Sequence, residues 1–253
     1  MELELWQFAV LFAAAFFGGF IDSIAGGGGL ISLPALLAVG IPPHVAIATN
    51  RFQGSFGSFT AALNFIRKGY VDAAEILRGV IFTFVGGLVG AYVLLLIDAK
   101  FLNYLIPILL LALLFYMIFS PNLGEAPAKP KMSKKSFYVI FGLVLGFYDG
   151  FFGPGTGSFW TFALVGILGL YMKKAVAHTK VLNFTSNIVS LGVFIIGGQI
   201  LWLVGAVMAV GQIAGSFAGS SLVMRCDVKF VRKMLLLVVA ATILKLLYGL
   251  IAN

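Results

Sequence analysis

The chain has 253 residues, 61% of them hydrophobic and 10% charged, with a mean hydropathy of +1.07 and a formal charge of +8. A water-soluble domain carries roughly a quarter charged residues, so this composition excludes one; recurring apolar runs of about 20 residues can each cross a hydrocarbon core of about 30 Å as a helix. Barrel strands would be shorter and would alternate, no basic run is long or aromatic-interleaved enough for a nucleic-acid surface, and the single cysteine, Cys226, leaves no intrachain disulfide and no cysteine-based metal site.

The start, Met1-Glu2-Leu3-Glu4, is acidic, whereas a signal peptide begins with positive charge. The first apolar run, 5–25, is therefore read as mature structure. It ends in the break Gly26-Gly27-Gly28-Gly29. A short segment, 30–39, follows and stops at Gly40-Ile41-Pro42-Pro43; longer segments are expected at 45–66, 76–97 and 101–119. A polar linker, 120–136, holds Pro121, Pro127 and Pro130 with Lys129, Lys131, Lys134 and Lys135. Beyond it come 137–152, the break Gly153-Pro154-Gly155-Thr156-Gly157, a short 158–170, and segments at 175–196, 200–223 and 231–251.

The two halves share a pattern. Gly19-Phe20-Ile21-Asp22 leading to Gly26-Gly27-Gly28 matches Gly146-Phe147-Tyr148-Asp149 leading to Gly153-Pro154-Gly155, and Ala48-Thr49-Asn50-Arg51 resembles Ala177-His178-Thr179-Lys180. The chain thus reads as a first transmembrane repeat (1–119), a cytoplasmic linker (120–136) and a second repeat (137–253). Positive charge orients it. Arg67, Lys68 and Arg78, the linker lysines, Lys173 and Lys174, and Arg225, Lys229, Arg232 and Lys233 mark the cytoplasmic side, while Asp98-Ala99-Lys100 and Gly197-Gly198-Gln199 read as outside. On this count both termini lie outside and the second copy is inverted. The expected fold is an all-α polytopic membrane protein. It has two inverted-topology repeats, each a broken helical hairpin plus three transmembrane helices. Segments as short as 30–39 favour re-entrance over a full span.

Broken backbone at membrane depth is tolerated only inside protein or beside water, so two matched breaks mark a transport site or, alternatively, tight helix packing. Amides at Gly27, Gly28, Gly155 and Thr156 are candidates to hold an anion at a half-helix N-terminus. Arg51 and Lys180 lie at matched places within apolar segments, where a cation is costly and functional by default; facing one cavity they would hold an anion, and otherwise they snorkel or pair with Asp22 or Asp149. Asn50, Gln53, His178, Thr179 and Asn183 are the candidates to orient its oxygens. Asn183, Ser186, Asn187 and Ser190 form a polar face on their helix, which either lines a path or glues helices together. Asp22 and Asp149 either carry a coupling proton or cap the broken helices. His44 is read as structural. The two histidines and two aspartates have no ligand spacing, so no metal and no cofactor is expected. No Walker A loop, nucleophile elbow or H-E-x-x-H pair is present, which argues against a nucleotide site or an intramembrane enzyme.

Gly18-Gly19-Phe20-Ile21-Asp22-Ser23-Ile24-Ala25-Gly26-Gly27-Gly28-Gly29, followed by Pro34 and Ala48-Thr49-Asn50-Arg51, strongly resembles the TauE/SafE family, and Gly146 to Gly157 with Thr179-Lys180 fits its second half. The resemblance covers nearly the whole chain. It implies export of a small sulfur-containing anion, sulfite or an organosulfonate such as sulfoacetate, across the bacterial cytoplasmic membrane. Arg51 stands where many relatives carry lysine, which keeps the charge and changes the anion geometry. The expected partners are a small anion and the lipid bilayer, with a homodimer as the assembly to test and no nucleic acid. The rival readings are a transporter or channel for another small anion, and a membrane assembly partner that transports nothing.

Overall fold

The computed structural model describes residues 3–97, 101, 108 and 129–225, and every regular element among them is helical. In chain order these are α1 (Leu5–Ala25), α2 (Gly29–Ala38), α3 (Pro43–Arg67), α4 (Ala73–Leu96), α5 (Lys134–Phe151), α6 (Thr156–Gly166), α7 (Met172–Ile196) and α8 (Trp202–Arg225). The segments expected at 101–119 (apart from residues 101 and 108) and 231–251, and most of the linker, lie outside the described residues. Each observed helix falls within a few residues of the apolar run that predicts it.

Local chemistry sets the ends. Glu4 and Gln7 close a capping box at the start of α1. Pro42 and Pro43 open α3, Pro43 at a position where its missing N–H costs nothing. The Asp72 carboxylate accepts the Ala74 and Glu75 amides at the start of α4, and Ser133 accepts the Ser136 amide at the start of α5.

Among the described residues four helices, α1, α4, α7 and α8, are long and apolar enough to cross a membrane. Helix α3 is as long as α7, at 25 residues, but buries Thr49, Arg51, Gln53, Ser55 and Ser58. The short α2 and α6 have 10 and 11 residues. At about 1.5 Å per residue each covers roughly half of a hydrocarbon core. Large apolar side chains face outward along the long helices, among them Phe17, Leu77, Tyr92, Ile196, Leu203 and Phe217. Water would not tolerate so continuous an apolar surface; lipid does.

The apolar core is divided in two. One cluster gathers Leu11, Leu36, Ala46, Leu94, Phe152, Phe194 and Val204; the other gathers Ile24, Phe65, Ile76, Phe137, Trp160, Met172 and Val223. Helix α1 therefore runs from the first cluster to the second, and α5 runs from the second to the first. Helices α3 and α7 are opposed in the same way. The pairwise packing shows the same exchange: α1 lies along α8 as α5 lies along α4, α3 meets α8 as α7 meets α4, and α3 and α7 pack on each other in the middle. The basic ends collect on one side. Glu75 at the start of α4 accepts from both Lys134 and Lys174 at 2.7 Å, and Lys173 donates to the Met224 carbonyl near the end of α8 at 3.3 Å.

Glycine allows the two long seams to close. A methyl group on Gly90 of α4 would run into the Phe147 carbonyl of α5, and one on Gly219 of α8 would run into the Phe20 carbonyl of α1. Close backbone approach of this kind is how helices associate in lipid. Gly90→Ala is expected to destabilise the protein by about 1–3 kcal/mol through overpacking. Gly192→Ala places its methyl in open space and should be neutral or slightly stabilising. Thermal unfolding of the two variants in one detergent checks this; equal melting temperatures would show that the seam yields.

Candidate functional site

Between the two apolar clusters lies a polar layer, built where the two helix breaks meet. Helix α1 stops at Gly26, whose φ of 74° suits glycine, and whose amide donates to the Asp22 carbonyl at 2.8 Å. The second break turns through Gly153 and Gly155 at φ 93° and 81°. A methyl on Gly26 would collide with the backbone of Gly157, Gly29 lies against Pro154, and the Ser158 hydroxyl donates to the Gly26 carbonyl. The breaks thus touch backbone to backbone.

Within this layer two ion pairs join the halves. Arg51 Nη1 of α3 donates to Asp149 Oδ1 of α5 at 2.7 Å, and Lys180 Nζ of α7 donates to Asp22 Oδ2 of α1 at 2.8 Å. The matched residues thus exchange partners. Beyond the pairs the surroundings differ. Asp22 Oδ1 also accepts the Gly27 and Gly28 amides at 3.1 and 3.2 Å, so it caps the first break as well as holding the lysine. Asp149 Oδ2 instead accepts the Ser186 hydroxyl, while Arg51 Nη1 also donates to Asn187 Oδ1 at 2.7 Å. Two cations and two carboxylates leave the layer formally neutral, as burial demands.

The layer holds a cavity of about 40 Å3, measured to the centre of a water-sized sphere; that is room for about three waters at roughly 10–15 Å3 each, or for one compact oxyanion. Of the residues singled out from sequence, Arg51, Asn50, Gln53, Asn183, Gly155, Asp22 and Asp149 line it. Arg51 is 3% exposed, and its Nε and Nη2 have no partner among the described residues. Its guanidinium packs on Gly153, where any side chain would displace it.

Other expected site residues are placed elsewhere. Lys180 is wholly buried against Asp22 and does not line the cavity. The Gly27 and Gly28 amides are taken by Asp22. His178 Nδ1 lies 3.1 Å from the Tyr138 hydroxyl, Thr179 pairs with Thr161 at 3.1 Å, and Thr156 donates to the Gly153 carbonyl at 2.7 Å. His44 Nε2 lies 3.4 Å from the Leu94 carbonyl. Among the described residues no group of three or more His, Cys, Asp or Glu side chains is placed to hold a metal.

Two lining residues are missed by the sequence reading. Ser32 of α2 donates to Asn50 Oδ1 at 2.6 Å, beside Gln53 Nε2, which donates to the same oxygen at 2.7 Å. Gln212 of α8 is 4% exposed, lines the cavity, and fits against Gly18, Gly19 and Gly57, where methyl groups would touch it. An amide within the apolar run 200–223 was the available signal.

The model of a family described as sulfite exporter TauE/SafE matches residues 11–246. A probable membrane transporter protein of Haemophilus influenzae is 42% identical over 252 residues, covering 98% of this chain and 97% of its own. The probable membrane transporter protein YfcA of Escherichia coli K12 is 44% identical over 239 residues, covering 94% and 89%. One of Sinorhizobium, ORF9, is 41% identical over 246 residues, covering 97% and 94%. No solved structure matches the chain.

Proposed function

Since the chain belongs to the TauE/SafE family and its relatives carry membrane-transporter names, it is a multi-pass membrane transporter, and we propose that it exports sulfite or a small organosulfonate across the bacterial cytoplasmic membrane by alternating access. The observation that carries this reading is Arg51, buried between the two apolar clusters in the wall of a central cavity, with two nitrogens unpartnered among the described residues. A guanidinium presents its N–H groups as a planar fork that matches an oxyanion. A cation so placed is expensive unless function requires it.

The opposed directions of α1 and α5 and of α3 and α7, and their exchanged packing, support an inverted repeat, in which one half rocks against the other around a fixed site. Both ion pairs of the polar layer resist that motion. An anion that takes over Arg51 competes with Asp149 for it and loosens one of the two ties. In this reading the coupling ion is a proton carried by Asp149 or Asp22. The basic side holding Lys134, Lys173 and Lys174 is cytoplasmic, and both termini are outside. The second copy in a homodimer would sit on the exposed apolar faces, which lipid covers in the monomer.

Proteoliposomes loaded with unlabelled sulfite and diluted into trace radiolabelled sulfite test the reading. Saturable counterflow is expected, with 2-hydroxyethanesulfonate competing. Flux that rises linearly with concentration, without counterflow, would indicate a channel. No sulfite flux from well-folded protein would remove sulfite as the substrate.

A further inference from the structure

The cavity wall presents more than a cation. Gln53 Oε1, Asn183 Oδ1 and Gln212 Oε1 are buried acceptors with no partner among the described residues, on residues 1%, 6% and 4% exposed, and all three line the same cavity as Arg51. The orientation of Gln53 is set by its Nε2, which donates to Asn50 Oδ1, an oxygen that also takes the Ser32 hydroxyl. A buried acceptor without a donor costs the desolvation of that group, and three in one small cavity call for a ligand that donates hydrogen bonds. A bare oxyanion only accepts: it satisfies Arg51 Nε and Nη2 and leaves the amide oxygens facing its own negative charge.

The second observation concerns charge. Arg51 and Lys180 are each already matched by a carboxylate, at 2.7 and 2.8 Å. The layer has no spare positive charge, so each further negative charge brought in is uncompensated in a poorly solvated place. A single charge opposite the Arg51 fork is tolerable; a double charge is not.

Resting on the anion-transport reading above, we infer that the cavity selects a monoanion that carries its own hydrogen-bond donor, such as an acid oxyanion or an amino- or hydroxy-substituted sulfonate head, and rejects both dianions and donor-free monoanions. Arg51 takes the anionic oxygens, and the oxygens of Gln53, Asn183 and Gln212 take the donor. In this arrangement a sulfite ion enters in its singly protonated form.

Sulfamate and methanesulfonate make a direct test, because both are monoanions of nearly the same size and shape. One carries an NH2 group where the other has a methyl. Calorimetric titration of each, and of sulfite and sulfate, into the full chain in lipid nanodiscs should show sulfamate binding at least about tenfold tighter than methanesulfonate, with sulfate weaker than either. In Gln212→Met, which keeps the length of the side chain and removes its acceptor, the sulfamate preference should shrink several-fold, with folding checked by monodispersity and melting. Equal affinities for sulfamate and methanesulfonate, both lost in Arg51→Ala/Asp149→Asn, would overturn the donor requirement and leave the anion site standing. Binding of neither, and no binding of sulfite, would remove the anion site and this inference with it. Sulfate binding as tightly as sulfamate would overturn the charge argument.

Discussion

Arg51→Ala is expected to lose both saturable sulfite flux and much of its folded population, whereas Arg51→Ala combined with Asp149→Asn regains the fold and not the flux. Arg51 Nη1 satisfies Asp149 Oδ1 and Asn187 Oδ1, both at 2.7 Å, and Asp149 is 3% exposed. Removing the cation leaves a buried carboxylate without its counter-charge, which costs about 3–5 kcal/mol. Replacing the carboxylate by an amide removes that penalty, so the double variant, set beside Asp149→Asn alone, separates the structural role of Arg51 from the functional one. Arg51→Lys keeps the charge and gives up the fork; it should fold, and raise the apparent KM more than it lowers the maximal rate. Thermal unfolding and sulfite counterflow, measured on one preparation of each variant, decide the matter. Wild-type flux from the folded double variant would reduce Arg51 to a structural partner of Asp149. The Lys180–Asp22 pair serves as contrast. Lys180 does not line the cavity, so Lys180→Ala paired with Asp22→Asn should weaken substrate binding less than the Arg51 double variant does. A larger loss would place the anion on the lysine side.

Gly26→Ala is expected to prevent folding, while Gly54→Ala folds. At Gly26 two penalties coincide. Its φ of 74° lies in the left-handed region, where a side chain costs about 1–2 kcal/mol, and its added methyl would enter the backbone of Gly157, which cannot retreat as a flexible side chain would. Overpacking adds a further 1–3 kcal/mol or so, enough together to exhaust much of a marginal stability. Gly54 also lines the cavity, but its methyl would be no closer than 3.8 Å to any neighbour, the Asn187 side-chain amide. Gly54→Ala therefore narrows the cavity without disturbing the frame, and should reduce affinity for larger sulfonates more than for sulfite. Yield of monodisperse protein reports the first effect and competition by 2-hydroxyethanesulfonate reports the second. A well-folded Gly26→Ala would mean that the two breaks can separate, and that their contact does not hold the site together.

The membrane character, the helical class and the approximate place of each described helix were determined by the sequence itself, because each depends on properties local to a segment. A run of about 20 apolar residues has few structural options in lipid. Asp72 and Ser133 carry their caps with them, and Gly26 and Pro43 carry backbone preferences into any fold. The doubled motif around Asp22 and Asp149, and the matched cations Arg51 and Lys180, were visible for the same reason.

Which residues meet was decided by the tertiary structure. Asp22 and Asp149 present the same local pattern, yet Asp22 accepts two amides of its own break, and Asp149 turns to Arg51 and Ser186. Arg51 and Lys180 look equivalent along the chain, but only Arg51 reaches the cavity. The aspartate facing Lys180 is held by amides that have no counterpart at Asp149. Gln212 gives no periodic signal, because a single amide in an apolar run becomes significant only when the small residues Gly18, Gly19 and Gly57 let it approach from other helices. Segment identity follows from hydration and backbone preference along a few turns of helix. Partner choice depends on groups about a hundred or more residues apart competing for the same buried charges and hydrogen bonds, and packing alone brings those groups together.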